Sequence, residues 1–159
     1  MTKVLYIYMA YTKDTYKGKF TPTTPAKYVG DSSNIIYRSS YELRFMKWCD
    51  LNDSIIFWNS EEIVVPYISP VDNKLHRYFV DFTIKIKTKT GEIKVYLIEV
   101  KPFKFTQEPQ PPKRRSRQFL NEVMQWGVNQ AKWKAASAFA KQQGWEFMLV
   151  TERDLGLTK

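Results

Sequence analysis

Two carboxylates and one lysine occupy the positions in this chain that are best suited to chemistry. Asp81 and the sequence Glu99-Val100-Lys101 each lie at the end of a strongly apolar, strand-like run. Alternate residues of a strand share a face, so Glu99 and Lys101 lie on the same face, and both faces of that strand are otherwise apolar. A charge that is partly removed from water in such a place is unfavourable unless it is paired or binds a cation. Glu99 therefore requires a partner.

This arrangement suits a divalent cation and a hydrolytic reaction. Neighbouring strands lie about 4.8 Å apart, so Asp81 and Glu99 at the ends of two paired strands can reach one cation at the ~2.1 Å that magnesium prefers. Lys101 would lie beside the water that the cation polarises, where it would position or deprotonate that nucleophile or stabilise negative charge in the transition state. A solvated strand end or a surface ion pair is the alternative explanation of the same residues.

Composition narrows the choice of metal and of partner. A single cysteine, Cys49, and a single histidine, His76, cannot form a zinc site of the Cys/His type, so any metal must be held by oxygen, which favours magnesium, manganese or calcium. The formal charge of +9 points to a polyanion or an anionic membrane surface as partner. No apolar run approaches the roughly 20 residues that span a bilayer, and the N-terminus is too polar for a signal peptide, so we expect a soluble intracellular protein.

A basic, proline-rich loop is predicted directly after Lys101. Residues 102–117 contain four of the eight prolines and should form a mobile, positive loop. The loop residues that we expect to neutralise DNA phosphates are Lys104, Lys113, Arg114, Arg115 and Arg117. Lys132 and Lys134 are assigned to a solvated helix face, with phosphate contact as the alternative. Such a surface predicts DNA binding that weakens steeply with salt.

The hydrophobic pattern predicts one α/β domain. A helix should run from Ser39 to Asn52-Asp53, and a longer one over residues 116–143 with Gly144 as its C-cap. Strands are predicted over residues 54–58, 63–67, 75–87, 93–101 and 145–150, with a hairpin turn at residues 88–92. The apolar stripe expected on the long helix consists of Phe119, Val123, Trp126, Gln130, Trp133 and Ala140. Residues 1–36 should form an extended N-terminal arm with a short strand at residues 4–8, which leaves residues 37–159 as the domain.

Two further polar residues have competing explanations. Glu42 forms a capping box with Ser39 at the start of the first helix, and a capping glutamate near a helix start can still face a site. Gln130 interrupts the stripe of the long helix, so it lies either at the margin of the stripe or in the site.

The chain resembles the PD-(D/E)xK nuclease superfamily, whose restriction-endonuclease-like α/β core runs helix, three-stranded mixed sheet, helix, strand. The matching residues are Glu42, Asp81 and Glu99-Val100-Lys101, with the departure that Val80 stands where the motif has proline. The resemblance implies an endonuclease in which Asp81, Glu99 and the Val100 carbonyl bind Mg²⁺ or Mn²⁺. It also implies that Glu42 assists through a second metal or a bound water, and it favours Gln130 as a site residue.

A closer resemblance covers about 100 residues. The chain is similar to the head completion nucleases of T-even-type tailed phages, a family similar to the nuclease subunit of certain heteromeric transposases. The five matching blocks, in order, are Tyr37-Arg38-Ser39-Ser40-Tyr41-Glu42, Trp58-Asn59-Ser60-Glu61, Arg77-Tyr78-Phe79-Val80-Asp81-Phe82, Ile98-Glu99-Val100-Lys101-Pro102 and Val128-Asn129-Gln130-Ala131-Lys132-Trp133-Lys134-Ala135-Ala136.

This second resemblance implies a virion-associated protein, also present in the infected host cytoplasm, that acts on packaged DNA at the portal. Portal, neck or head proteins would be its partners. One alternative is a structural head-completion or DNA-end-binding protein with little or no nuclease activity. Another is a restriction or transposon-end enzyme of the same fold, which would require base-specific contacts for which the sequence offers no assignable element.

Overall fold

A four-stranded mixed sheet between two helices forms the centre of this computed structural model, which describes residues 17–156. Strands β3, β6 and β7 are antiparallel neighbours in that order, and β8 joins β7 in parallel. The elements are β1 Gly18–Phe20, β2 Ile35–Tyr37, α1 Ser40–Leu51, β3 Ile55–Ser60, β4 Val64–Ile68, β5 Leu75–Phe79, β6 Phe82–Lys87, β7 Ile93–Val100, α2 Arg117–Gln142 and β8 Glu146–Val150, with short 3-10 helices at Pro25–Lys27 and Phe103–Thr106.

Helix α1 begins and ends where the sequence predicts. The Ser39 hydroxyl accepts a hydrogen bond from the Glu42 N–H at 3.1 Å, which satisfies one of the free donors of the first turn. At the other end, the Asn52 N–H donates to the Trp48 carbonyl at 3.0 Å, and the chain then turns into extended backbone. The predicted helix from Ser39 to Asn52-Asp53 is confirmed.

Helix α2 has the predicted length but buries a different face. Ser116 caps its start by accepting from the Phe119 N–H at 3.1 Å, and Gly144 follows its end with φ of 73°, a conformation that glycine adopts without strain. The predicted stripe was wrong in part, because Gln130 and Val123 are exposed. The buried face consists of Asn129, Trp133, Ala136 and Ala140. Ala136 and Ala140 of this face pack with Leu97 of β7 in one apolar cluster.

Strand β7 separates two apolar clusters, as its apolar faces predict. On the α1 side, Ile98 packs in a cluster that includes Phe45 and Phe82. On the α2 side, Leu97 packs in a cluster that includes Ala136 and Ala140. The strand is therefore covered on both faces, and a charge at its end has little access to water.

The strand predicted over residues 75–87 is wrong, because the chain breaks at Val80-Asp81. Strand β5 pairs with β4 in a separate two-stranded sheet, whereas β6 joins the central sheet. Val80 packs in the α2-side cluster and Phe82 in the α1-side cluster, so the two residues lie on opposite sides of the sheet. The alternating pattern continues through the break and gives no sign of it. The break places Asp81 at the start of β6.

Residues 17–36 differ from the predicted extended arm. Strands β1 and β2 pair antiparallel, and Phe20 and Ile35 are buried in the α1-side cluster. The buried Asp50 carboxylate accepts hydrogen bonds from the Thr23 and Thr24 N–H groups at 2.7 and 2.8 Å. The segment is thus held by a residue that lies 26 or more positions away in sequence. The predicted strand at residues 4–8 lies outside the described residues.

None of the helices within residues 17–156 is long and apolar enough to cross a membrane.

Candidate active site

The break before β6 brings Asp81 against the end of β7. Phe82 pairs with Ile98 across the two antiparallel strands, so the next residues along, Asp81 and Glu99, face each other. The Asp81 Oδ2 atom accepts a hydrogen bond from the Val100 N–H at 2.8 Å. The structure therefore brings together the two carboxylates and the Val100 backbone that the sequence singled out.

Glu99 is buried and held by two side chains. The Tyr78 hydroxyl donates to its Oε2 at 2.6 Å, and the Lys101 Nζ atom lies 3.1 Å from its Oε1. Lys101 remains partly exposed, with 26% of its side-chain surface accessible. The lysine thus bridges a buried carboxylate and the solvent side of the site, which is where a substrate would approach.

The charges of neighbouring carboxylates disfavour the charged form of Asp81. Loss of hydration, followed by the charges of Glu99 and Glu42, raises the pKa of Asp81 well above its usual value, against the opposing effects of the Val100 N–H and Lys101. Burial is also the main cause that raises the pKa of Glu42. A bound cation would relieve this repulsion, because it would favour the charged forms of the carboxylates.

The donor set fits a hard divalent cation. Within residues 17–156, the Asp81 Oδ1 atom takes part in no hydrogen bond, so it is available as a ligand. No three His, Cys, Asp or Glu side chains in this part of the chain converge as ready-made ligands of one ion. A metal would therefore be held by two carboxylates, main-chain oxygen and water, which are the ligands that magnesium and manganese prefer.

Glu42 serves as a helix cap and lies close enough to influence Asp81. Its Oε2 atom accepts from the Arg38 N–H at 2.9 Å, and its Oε1 atom lies 3.2 Å from the Ser39 hydroxyl. The capping prediction is confirmed, with the Arg38 N–H rather than that of Ser39 as the backbone donor. Its charge is one of the causes that raise the pKa of Asp81. A role of Glu42 in metal binding stays a prediction.

Three residues of α2 that were predicted as site or DNA-binding residues, Gln130, Lys132 and Lys134, differ from one another in their contacts. Gln130 is exposed and its side chain makes no hydrogen bond within the described residues, so no hydrogen bond links it to the carboxylates. Lys134 is also exposed. Lys132 does not lie on a fully solvated face, because its Nζ atom is 5.4 Å from the ring centre of Tyr78 and 5.8 Å from that of Tyr67. Lys132 therefore lies on the same side as the tyrosine that holds Glu99.

The basic loop is anchored where it leaves the site. The Phe103 N–H donates to Glu152 Oε2 at 2.7 Å, and the Arg153 guanidinium lies 3.3 Å from the centre of the Phe103 ring. The five predicted phosphate-binding residues Lys104, Lys113, Arg114, Arg115 and Arg117 are all exposed. None of them forms an ion pair with a residue of the described part of the chain. They are available to an anionic partner.

Comparison with known proteins agrees with this geometry. The family model described as "TnsA-like endonuclease N terminal" matches residues 52–152. The chain belongs to this family. This TnsA-like endonuclease is also 41% identical, over 144 residues, to the head completion nuclease of Enterobacteria phage T4, an alignment that covers 88% of this chain and 93% of the relative. No solved structure shows a significant match. The predicted restriction-endonuclease-like α/β fold and the predicted head completion nuclease are confirmed.

The family match covers most of the candidate site of this TnsA-like endonuclease. Asp81, Glu99, Lys101 and Gln130 lie within the matched segment, whereas Glu42 lies before it. The individual roles of these residues stay predictions.

Two residues of the site region, Tyr78 and Asn129, were not predicted from the sequence. Tyr78 occurs in an alternating apolar run, where an aromatic residue is typical of a core, so nothing in the pattern predicts its bond to Glu99. Asn129 is buried, and its Oδ1 atom accepts from Gln125 Nε2 at 3.0 Å. Its position four residues before the buried Trp133 was a usable signal, because residues at that spacing share a helix face.

Proposed function

We propose that this TnsA-like endonuclease hydrolyses phosphodiester bonds of DNA with a divalent cation, Mg²⁺ or Mn²⁺, held by Asp81, Glu99 and the Val100 carbonyl. The observation that carries the proposal is the pair of carboxylates at the adjoining ends of β6 and β7, beside a partly exposed lysine. Removal of both carboxylates from water without a bound cation is unfavourable. The cation, when bound, supplies Lewis acidity to the phosphate oxygen and to the attacking water.

Each residue at the end of β7 has a distinct role in this proposal. The Tyr78 hydroxyl fixes the orientation of the Glu99 carboxylate, since it donates to Oε2. Lys101, held by Oε1 of the same carboxylate, presents its ammonium group on the solvent side. There it positions the nucleophilic water and offsets the negative charge that develops on the phosphoryl oxygens. Glu42 assists through a second metal or a bound water, and Gln130 is an additional site residue.

Cationic side chains near the site bind the flanking DNA backbone. The loop lysines and arginines are exposed and follow directly on Lys101, and Lys132 lies over Tyr78. The positive charge offsets the repulsion between the acidic site and the phosphates, and releases counterions on binding. Lys134 is a further phosphate contact in this proposal.

The phage T4 relative indicates the biological setting. That protein is named a head completion nuclease and aligns with 88% of this chain. We propose that this chain likewise acts in a phage head, on packaged DNA at the portal, in the virion and in the infected host cytoplasm. Portal, neck or head proteins are its proposed partners.

A cleavage assay tests the catalytic assignment. Wild type, Glu99→Gln and Lys101→Ala would be incubated with plasmid DNA and Mg²⁺ or Mn²⁺. We expect each substitution to lower the cleavage rate on the order of 100-fold or more, because each removes a charge that acts in the transition state. Lys94→Ala is the matched control, since Lys94 lies at the other end of β7 and pairs with Glu146 at 3.2 Å. Unchanged cleavage in either folded variant would contradict the assignment.

A DNA-end-binding role with little cleavage is the second candidate. The observation that favours it is a groove between the basic loop and α2, which lies next to the carboxylates but does not include them. Anomalous scattering from crystals soaked in manganese distinguishes the two. Density between Asp81 and Glu99 supports the nuclease, whereas no density together with intact DNA binding supports end binding alone.

A further inference from the structure

A groove of about 900 Å³ lies between the start of the basic loop, residues 103–110, and the first half of α2, residues 117–129. It begins beside the candidate active site. Phe103, at one end, is two residues from Lys101, which places their Cα atoms within about 7 Å of each other. Asn129, on the helix, is less than one turn from Lys132, the residue that lies over Tyr78. A strand that passes the carboxylates would therefore enter the groove.

Three aromatic rings line this groove, and neighbouring side chains hold two of them in place. The lining includes Phe103, Phe105 and Trp126. The Arg153 guanidinium covers one face of the Phe103 ring at 3.3 Å and so holds the ring in place. Trp126 packs edge-on against the buried Trp133, with 6.2 Å between the ring centres. Rings that are already held in position can stack on a planar ligand with little loss of side-chain entropy.

The remaining lining is rich in amides. Each amide offers both a donor and an acceptor, as the edges of nucleobases do. The amide residues of the lining are Gln107, Gln110, Gln118, Asn121, Gln125 and Asn129. The hydrogen bond from Gln125 to Asn129 orients two of them.

Charge is distributed unevenly between the groove and its rim. In the lining, Lys104 and Arg117 are balanced by Glu108 and Glu122. The segment that connects the two walls carries Lys113-Arg114-Arg115, all exposed. A neutral interior with aromatic and amide groups suits bases, and a cationic rim suits the phosphates that connect them.

We infer that the groove binds unpaired nucleotides of a DNA strand, so that the preferred substrate carries a single-stranded segment next to the bond that is cleaved. The volume lies in the range of pockets for small ligands, about 300–1,000 Å³, which suits a few nucleotides rather than a base-paired helix. The inference rests on the proposed function for the identity of the ligand as DNA, and it adds the form of that DNA.

Fluorescence anisotropy in EDTA at fixed salt tests binding without cleavage. The probes are a blunt duplex, the same duplex with a single-stranded overhang, and the overhang sequence alone. We expect the overhang duplex to bind about tenfold more tightly than the blunt one, because stacking on aromatic side chains adds to the backbone contacts. Trp126→Leu should weaken binding of the overhang duplex about 5- to 10-fold, towards the affinity of the blunt duplex, and leave blunt duplex binding unchanged.

Matched controls separate the groove from general effects. Trp48→Leu removes an exposed tryptophan of α1, on the opposite side of the sheet. Gln125→Leu tests an amide of the groove wall, and Gln142→Leu replaces an exposed glutamine at the far end of the same helix. Because Gln125 is exposed, its variant remains informative if Trp126→Leu fails to fold.

The outcomes are distinct for the two proposals. Equal affinity for the blunt and overhang duplexes, or an overhang preference that survives both Trp126→Leu and Gln125→Leu, would overturn the inference even if Mg²⁺-dependent cleavage is found. An overhang preference that both variants abolish supports it. If wild type then cleaves none of these probes with Mg²⁺ or Mn²⁺, the proposed nuclease activity fails, whereas the binding of unpaired nucleotides in the groove stands.

Discussion

Asp50 is a buried carboxylate and Asp81 is a partly buried one, and their neighbours are opposite in kind. Asp50 accepts hydrogen bonds from two backbone N–H groups, those of Thr23 and Thr24. The Lys27 ammonium donates to the carbonyl of the same aspartate at 3.1 Å. Asp81 accepts one backbone N–H, that of Val100, and has two carboxylates as neighbours. One charge is compensated by the fold, and the other is left in need of a cation.

The difference separates a structural charge from a functional one. Asp50 ties the segment before β2 to the end of α1, and its compensation is complete without a ligand. Asp81 is held in a charged form only at the expense of stability, which is tolerated where a ligand is bound. Burial alone does not identify the functional residue, because Asp50 is buried and Asp81 is only partly buried. The number and charge of the groups around each carboxylate do.

The largest expected effect is on catalysis. Asp81→Asn should lower Mg²⁺-dependent DNA cleavage by on the order of 100- to 1,000-fold, because the amide cannot offer an anionic ligand. Asp50→Asn, assayed below its melting temperature, should cleave DNA at nearly the wild-type rate. Cleavage rates on plasmid DNA measure both. Equal losses in the two variants would remove the distinction between the two carboxylates.

The second largest expected effect is on stability, and Asp50 rather than Asp81 is the sensitive residue. Asp50→Ala should lower the free energy of unfolding by about 2–4 kcal/mol, because it leaves the Thr23 and Thr24 N–H groups without their charged acceptor. For a chain of this size, that loss lowers the melting temperature by roughly 5–15 °C. Asp53→Ala, in the exposed turn after α1, is the matched control. An unchanged melting temperature for Asp50→Ala would show that the segment before β2 is held by other contacts.

The parts of the fold and of the site that could be predicted follow from local sequence patterns. The strand period predicts β7 with both faces covered, and the turn at residues 88–92 predicts its pairing with β6. Together these two features place Asp81 and Glu99 close together. The capping box at Ser39 predicts the start of α1, and Gly144 predicts the end of α2. All of these features depend on residues within a few positions of one another.

What could not be predicted depends on distant contacts. The break at Val80-Asp81 is set by pairing of β5 with β4, whereas the alternating pattern continues through it. The segment before β2 folds because its Thr23 N–H donates to Asp50 and its Phe20 packs in the α1-side cluster. Tyr78 reaches Glu99 across 21 positions of sequence. Neither hydrophobic period nor turn composition contains such information.

A third effect is on the pH dependence of stability without metal. The pKa of Asp81 is raised above its unfolded value of 3.8, so below that pH the carboxyl is protonated in both states and no penalty exists. As the pH rises from 3.8 towards the raised folded pKa, the unfolded state releases the proton first, and the folded state loses stability relative to it. Asp81→Asn removes this loss and should melt at a higher temperature than wild type at pH 7 in EDTA.

The difference between wild type and Asp81→Asn isolates this effect. Asp31 and Asp72 have lowered pKa values and contribute the opposite trend, but they do so equally in both proteins. Thermal melts in EDTA from pH 4 to pH 8 should therefore diverge as the pH rises. Mg²⁺ should stabilise wild type but not Asp81→Asn. Parallel melting curves would contradict the account of Asp81 as an uncompensated charge.

The smallest expected effect is that of Tyr78→Phe, which makes Glu99 resemble Asp81 by removing one of its two partners. The Lys101 contact at 3.1 Å remains, so the carboxylate should stay near its place but lose its fixed orientation. A hydrogen bond to a charged group contributes about 1.5–3 kcal/mol, so we expect a roughly 10- to 100-fold slower cleavage step. Single-turnover rates at saturating DNA should fall while DNA affinity in EDTA is unchanged. Tyr96→Phe, on the α1 side of the same sheet, is the control. A loss of affinity without a loss of rate would assign Tyr78 to DNA binding instead of the orientation of Glu99.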